Sequence, residues 1–123
     1  MPIYHNQLET LPDGTERVLR PIANEALGAI SGSVHENVVI AGATIPTHKH
    51  AVVEIIVCLS GTAECSFNGG SPEKYQSGSV LIIPPNTLHT IRNIGTELLR
   101  QLAFFPSGSM QTEWLESQGS VHY

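Results

Sequence analysis

Four side chains in this sequence are of the kinds that ligate metals, and their spacing can be tested against strand geometry. His48, His50 and Glu54 lie in "THKHAVVEIIVCLSG" (Thr47–Gly61), and His89 closes "GSVLIIPPNTLH" (Gly78–His89). In a β-strand alternate residues share a face, so His48, His50 and Glu54 fall on one side with Val52, Ile56 and Cys58, while Lys49 points away. At a rise of about 3.3 Å per residue the two histidines stand roughly 6.6 Å apart, within reach of one ion. His50 and Glu54 would be roughly 13 Å apart on a straight strand, too far for side chains that each hold a donor about 2 Å from a shared metal. Joint action by the three therefore predicts a bend near Ala51–Val53, with the site built on two adjacent strands. His89 follows a turn forced by Pro84, Pro85 and Asn86. It is expected to start a strand antiparallel to Val80–Ile83, and a closed barrel would bring it opposite the first pair.

The elements that must position these residues are short strands. Eleven glycines and eight prolines punctuate the 123 residues without forming a linker. Between them lie strand-length segments rich in β-branched and aromatic residues: Arg17–Ile22, Ala29–His35, Val38–Ile45, Glu54–Leu59, Ala63–Phe67, Val80–Ile83, His89–Ile94 and Leu98–Phe105. Only Gln111–Ser117 has a pattern compatible with a short helix. Many short, evenly spaced strands predict an all-β sandwich or small barrel. We read one domain over residues 1–123, with a barrel core at about 15–106 and a tail at 107–123.

Composition narrows the function. With 41% hydrophobic and 14% charged residues the chain is globular, and its formal net charge is −5. No basic run exists to track phosphates, so nucleic acid is not expected as a partner. No apolar run approaches the roughly 20 residues of a membrane span, and "MPIYHNQLET" does not resemble a signal peptide. A cytoplasmic protein is expected. Cys58 and Cys65 are read as free, buried thiols. His5, His35 and His122 are read as surface residues, with His35 in an exposed turn, "VHEN".

The same stretches resemble the cupin family. Gly42, His48, His50, Glu54 and Gly61 keep the spacing of the first cupin motif, and Gly78, Pro84, His89 and Asn93 that of the second. Asn86 stands where the family usually has glycine, a mild departure because Asn tolerates the positive φ such a turn requires. The resemblance, to small single-domain RmlC-like cupins, implies an antiparallel double-stranded β-helix or jelly-roll barrel. It also implies one divalent metal held by His48, His50, Glu54 and His89. Three imidazoles and a carboxylate suit Fe, Mn, Ni, Cu or Zn.

Other residues are candidates for the surroundings of the site. A two-residue turn at Ser60-Gly61 would set Ile56 against Cys65, Cys58 against Ala63 and Glu54 against Phe67, making Phe67 a candidate pocket wall. In Leu98–Phe105 either Arg100 or Gln101 faces inward. An inward Arg100, with Leu102 and Phe104, would offer a cation to a substrate carboxylate or phosphate, whereas a surface arginine is the commoner case. Tyr75 and Glu64 are the nearest candidates for proton transfer, and Trp114 is read as a barrel cap or dimer contact. The expected function is a metal-dependent oxygenase acting on a small organic substrate. The alternatives are a metal-dependent isomerase, lyase or decarboxylase of a keto-, hydroxy- or sugar acid, and a non-enzymatic metal- or sugar-binding protein. A homodimer is expected from exposed strand edges.

Overall fold

Burial alternates with a period of two along Glu54–Ser60, Thr62–Phe67, His89–Asn93 and Leu99–Phe105, the strands that wall the core. The computed structural model describes residues 3–5, 14–115 and 120–122. Its strands are β1 (Arg17–Ala23), β2 (Ser33–Val39), β3 (Thr44–Lys49), β4 (Glu54–Ser60), β5 (Thr62–Phe67) and β6 (Glu73–Gln76). They continue as β7 (Val80–Ile83), β8 (His89–Asn93), β9 (Leu99–Phe105), β10 (Gln111–Trp114) and β11 (Ser120–His122). A single 3-10 turn at Glu25–Leu27 joins β1 to β2, capped by the Asn24 side chain. No helix among the described residues is long and apolar enough to cross a membrane.

The strands form two antiparallel sheets that enclose one core. Sheet A runs β1-β2-β9-β4-β7 and sheet B runs β11-β10-β3-β8-β5-β6. From β3 onward the chain passes repeatedly from one sheet to the other, the lacing of a jelly roll. Ile45, Ile56, Ile83, Ile91, Leu99 and Phe105 meet between the sheets, each essentially sealed from water.

This lacing overturns two expected hairpins. Ser60-Gly61 joins β4 of sheet A to β5 of sheet B, so Ile56, Cys58 and Glu54 do not pair with Cys65, Ala63 and Phe67. Gly61 has φ 92° and a Cβ there would stand 2.8 Å from the Leu98 carbonyl oxygen, so the crossing is too tight for a side chain. Likewise β8 pairs with β3 and β5, not with β7. Both turns reverse the chain as foreseen, but they do so across the barrel rather than within a sheet.

Two local readings also change, and one strand went unread. "SVHENVV" is one continuous strand, β2, with no break at Glu36-Asn37. Gln111–Trp114 forms β10, paired with β3 and β11, in place of a helix; residues 116 and 117 of the expected helix lie outside the described residues. The strand β6 had no strong apolar signal, since Tyr75 alone of its residues is buried. Cys58 and Cys65 are free and buried, as expected.

Candidate metal centre

The three ligands of the first stretch converge because the chain breaks where distance requires it. β3 ends at Lys49, a bend occupies Ala51 and Val52, and β4 begins at Glu54 in the other sheet. A bulge in β3 adds a second adjustment. Ile45 and His48, three residues apart, sit opposite Ile91 and His89, two residues apart. The extra residue re-aims the strand so that Ile45, His48 and His50 all point inward. Pro46, which has no N–H to give a ladder, occupies this irregular stretch.

The turn of the second stretch is tied to the first. Asn86 adopts φ 58°, the conformation foreseen for it, and its N–H donates to the His50 carbonyl oxygen at 2.7 Å. That bond fixes the turn against the bend, while the β3–β8 register sets His89 across from His48.

All three imidazoles are oriented by backbone carbonyls. Nδ1 of His48 lies 2.7 Å from the Pro46 oxygen, Nδ1 of His50 3.1 Å from that of Gln111, and Nδ1 of His89 2.9 Å from that of Thr87. A carbonyl can only accept, so each Nδ1 carries the proton and each Nε2 presents a lone pair. One ligand atom from each of His48, His50, Glu54 and His89 lies within 4.8 Å of the others, and the group could hold a metal ion. Glu54 Oε1 is 3.1 Å from His89 Nε2 and 3.4 Å from His50 Nε2. Both Glu54 oxygens and His89 Nε2 are buried without a hydrogen-bond partner. Buried polar atoms are costly when unsatisfied, and donors that converge on one point without satisfying one another fit a bound cation.

The protonation states match that fit. Burial, then the neighbouring His89, holds the His48 imidazole down at about 3, so it is neutral at ordinary pH. For Glu54 burial works upward, but a proton on the Nε2 of His50 or His89, donated to the carboxylate, outweighs it and brings the carboxyl down to about 2; a cation in place of that proton acts in the same direction. Neutral imidazole and ionised carboxylate are the metal-binding forms. The four residues are only 1–3% exposed. Trp114 packs against His48 at 4.8 Å between ring centres with the planes tilted at 44°, and Phe105 meets His50 edge-on at 4.8 Å. Trp114 thus caps the site.

The remaining candidates divide by strand parity. Phe67 is opposite His89 on the inner face of β5 and packs against the core. In β9 it is Gln101, Ala103 and Phe105 that point inward, so Arg100 and Phe104 lie on the outside. The Arg100 Nη1 stands 3.8 Å from Glu36 Oε2, and Phe104 is 41% exposed. Neither lines the barrel interior. Gln101 takes the inward place because Tyr75 donates its hydroxyl to the amide oxygen at 2.8 Å. Glu64 faces outward between Arg92 and Lys74.

His35 is the largest surprise. It is buried on the inner face of β2, edge-on to Phe105 at 5.1 Å, with Nε2 at 3.1 Å from Ser33 Oγ. Burial chiefly lowers its pKa to about 4, despite the nearby Glu54. Asn37 and Gln101, opposite each other on β2 and β9, extend this polar row, and Asn37 Oδ1 and Gln101 Nε2 have no hydrogen-bond partner. A polar run such as His35-Glu36-Asn37 reads as a turn in the sequence; only the flanking valines hinted at a strand. His5 is exposed as expected, and the His122 side chain lies outside the described residues. A cleft of about 340 Å³ is lined in part by Ala51 and Val52, which follow His50 in the chain, and by Asn86, Met110 and Gln111.

Comparison with known proteins agrees with this architecture. A family model described as the cupin domain matches residues 36–105, more than half of the chain, and the chain belongs to the cupin family. Among solved structures, an uncharacterized conserved protein with a double-stranded β-helix domain from Klebsiella pneumoniae aligns with a TM-score of 0.76 at 19% identity, over 88% of this chain and 86% of the other. The polyketide cyclase RemF from Streptomyces resistomycificus aligns with a TM-score of 0.72 at 20% identity, over 82% of this chain and 72% of the other. Oxalate decarboxylase from Lactobacillus farciminis, in a formate complex, aligns with a TM-score of 0.72 at 21% identity, over 86% of this chain but 32% of the other. These likenesses establish the fold. A search of curated proteins finds no match.

Proposed function

We propose that His48, His50, Glu54 and His89 hold one divalent transition metal and that the protein is an oxygenase acting on a small organic substrate. A metal held by these four residues would keep open coordination positions and would supply redox chemistry for dioxygen and an organic substrate. What carries this reading is the scarcity of proton-transfer groups on the inner face. Burial pushes the Tyr75 phenol up, and its hydroxyl already serves Gln101. Burial, aided by Glu54, likewise pushes the Cys65 thiol up to about 12. Glu64 faces outward. Among the described residues, the barrel interior also presents no lysine or arginine for a substrate anion, so the metal is the principal handle for it. Phe67 supplies apolar wall beside His89.

His35 supports a second reading. A buried neutral imidazole near Glu54 and His50 could serve as the base of an isomerase, lyase or decarboxylase, with the metal polarising a carbonyl. Oxygen dependence separates the two. The oxygenase reading expects substrate-dependent O₂ consumption by protein loaded anaerobically with Fe(II). Unchanged turnover without oxygen, abolished in His35→Gln, would establish the second reading instead.

A further inference from the structure

We propose that Asn37 and Gln101 form a subsite in the barrel interior for an uncharged substrate group that both donates and accepts a hydrogen bond, such as a carboxamide. It rests on the proposed function, in which the metal holds one end of the substrate, and gives the chemistry of the other end. The inner face of β2 carries Ser33, His35, Asn37 and Val39, all buried. Three polar side chains in succession are out of place in a core. The first two satisfy each other, Ser33 Oγ with His35 Nε2 at 3.1 Å.

Asn37 lies directly across from Gln101 of β9, which in turn faces Cys58 of β4. Asn37 is 1% exposed and Gln101 is sealed from water, yet Asn37 Oδ1 and Gln101 Nε2 have no hydrogen-bond partner. Gln101 Oε1 is already taken by the Tyr75 hydroxyl at 2.8 Å, so Nε2 is the atom left over. The pair therefore offers one acceptor and one donor on adjacent strands, whose paired Cα atoms stand about 5 Å apart. Leaving both unmet is costly, a condition native folds show mainly where something else completes the bonds.

Charge selects the ligand class. The basic side chains of these strands, Arg20 and Arg100, lie on the outer face with Glu36. Burial lowers the His35 pKa to about 4 and raises that of Tyr75, so the surroundings of the pair are neutral at ordinary pH. A carboxylate or phosphate there would lose its water with no cation in exchange, and its oxygens would face that of Asn37. A carboxamide answers both atoms: its N–H donates to Asn37 Oδ1 and its oxygen accepts from Gln101 Nε2. The placement suits a far end. Phe105, at the level of the metal centre, meets His50, and Gln101 follows on the same strand face roughly 13 Å away. Between them β9 contributes only the methyl group of Ala103.

Asn37→Leu nearly preserves shape and removes the unmet oxygen. In metal-free protein it is expected to raise the melting temperature by a few degrees, because an unpaired polar atom leaves the core. An unchanged or lower value, or failure to fold, marks a structural role and overturns the subsite. Calorimetric titration of zinc-loaded protein then compares three catechols that differ only in the tail: propanamide, propanoate and butyl. The propanamide is expected to bind about tenfold or more tightly than either of the others, and Asn37→Leu should erase that preference. Equal binding of the three, preference for the propanoate, no binding of any, or a preference that survives in the variant overturns the subsite. Zinc content separates the two levels of failure. Indifference to the tail with zinc in place refutes the subsite alone, whereas wild-type protein that takes up no zinc refutes the metal-held substrate beneath it.

Discussion

The two ends of β8 place a buried polar residue on the same inner face, and they treat it in opposite ways. Asn93 is sealed from water and has every group engaged. Its Nδ2 donates to the Val39 and Glu97 carbonyls at 2.9 and 2.8 Å, and its Oδ1 accepts from the Gly95 N–H at 3.0 Å. His89, four residues earlier and equally buried, keeps Nε2 without a hydrogen bond beside a carboxylate in the same condition. Satisfied groups hold a fold together, whereas convergent unsatisfied ones await a ligand. The two residues should therefore separate binding from stability.

Replacing His89 by Ala should produce the largest effect. Metal content after purification is expected to fall to background while the fold survives, since among the described residues the ring gives up one hydrogen bond, from Nδ1 to the Thr87 carbonyl, and its contact with Glu54. Metal retained at the wild-type level, measured by elemental analysis, would show that the cluster is not the site. Acidification should come next, and it acts at the His89 end alone. His35 and His48 have folded pKa values lowered to about 4 and about 3 from 6.5, so the unfolded state takes up protons that the folded state refuses. Their contribution to stability is whole above pH 6.5 and is lost as pH falls below it. In metal-free protein this amounts to about 2 kcal/mol per histidine by pH 5, visible as a lower melting temperature. Asn93→Ala should act in the opposite sense to His89→Ala. It removes the bonds to the Val39 and Glu97 carbonyls, the first of them buried, and one of the two acceptors of the Gly95 N–H, which keeps the Thr62 carbonyl; a loss of about 2 kcal/mol is expected, and the folded protein should still bind metal. Parallel unfolding and metal-binding measurements on the two variants would erase the distinction if both quantities moved together.

The sequence made the chemistry of the site more readable than the walls around it. His48, His50 and Glu54 could be placed because their problem is local: strand rise and parity alone demand a bend, and the bend lies at Ala51 and Val52. The destination of a turn is not local. The turns after Ser60 and at Pro84–Asn86 look like hairpin turns, and nothing in their own residues says whether the next strand pairs with the last or crosses the barrel. That choice is made by β9, which inserts between β2 and β4 from some forty residues away. His35 was hidden for a related reason. Burial of His35, Glu36 and Asn37 depends on neighbours from β1 and β9, and without them three polar residues read as solvent-exposed. The parity of Arg100 and Gln101 likewise rested on Tyr75, whose strand β6 carried no pattern of its own.

The passage of consecutive strands between sheets has a consequence in time as well as space. During synthesis His48 and His50 exist for about forty residues before His89 does, and the carbonyl that orients His50 comes later still, at Gln111. Pairings this distant in sequence place folding of such barrels on the millisecond-to-second scale, with long-range closure as the slow event. The cluster of His48, His50, Glu54 and His89 is thus completed only once strands distant in sequence have closed on one another.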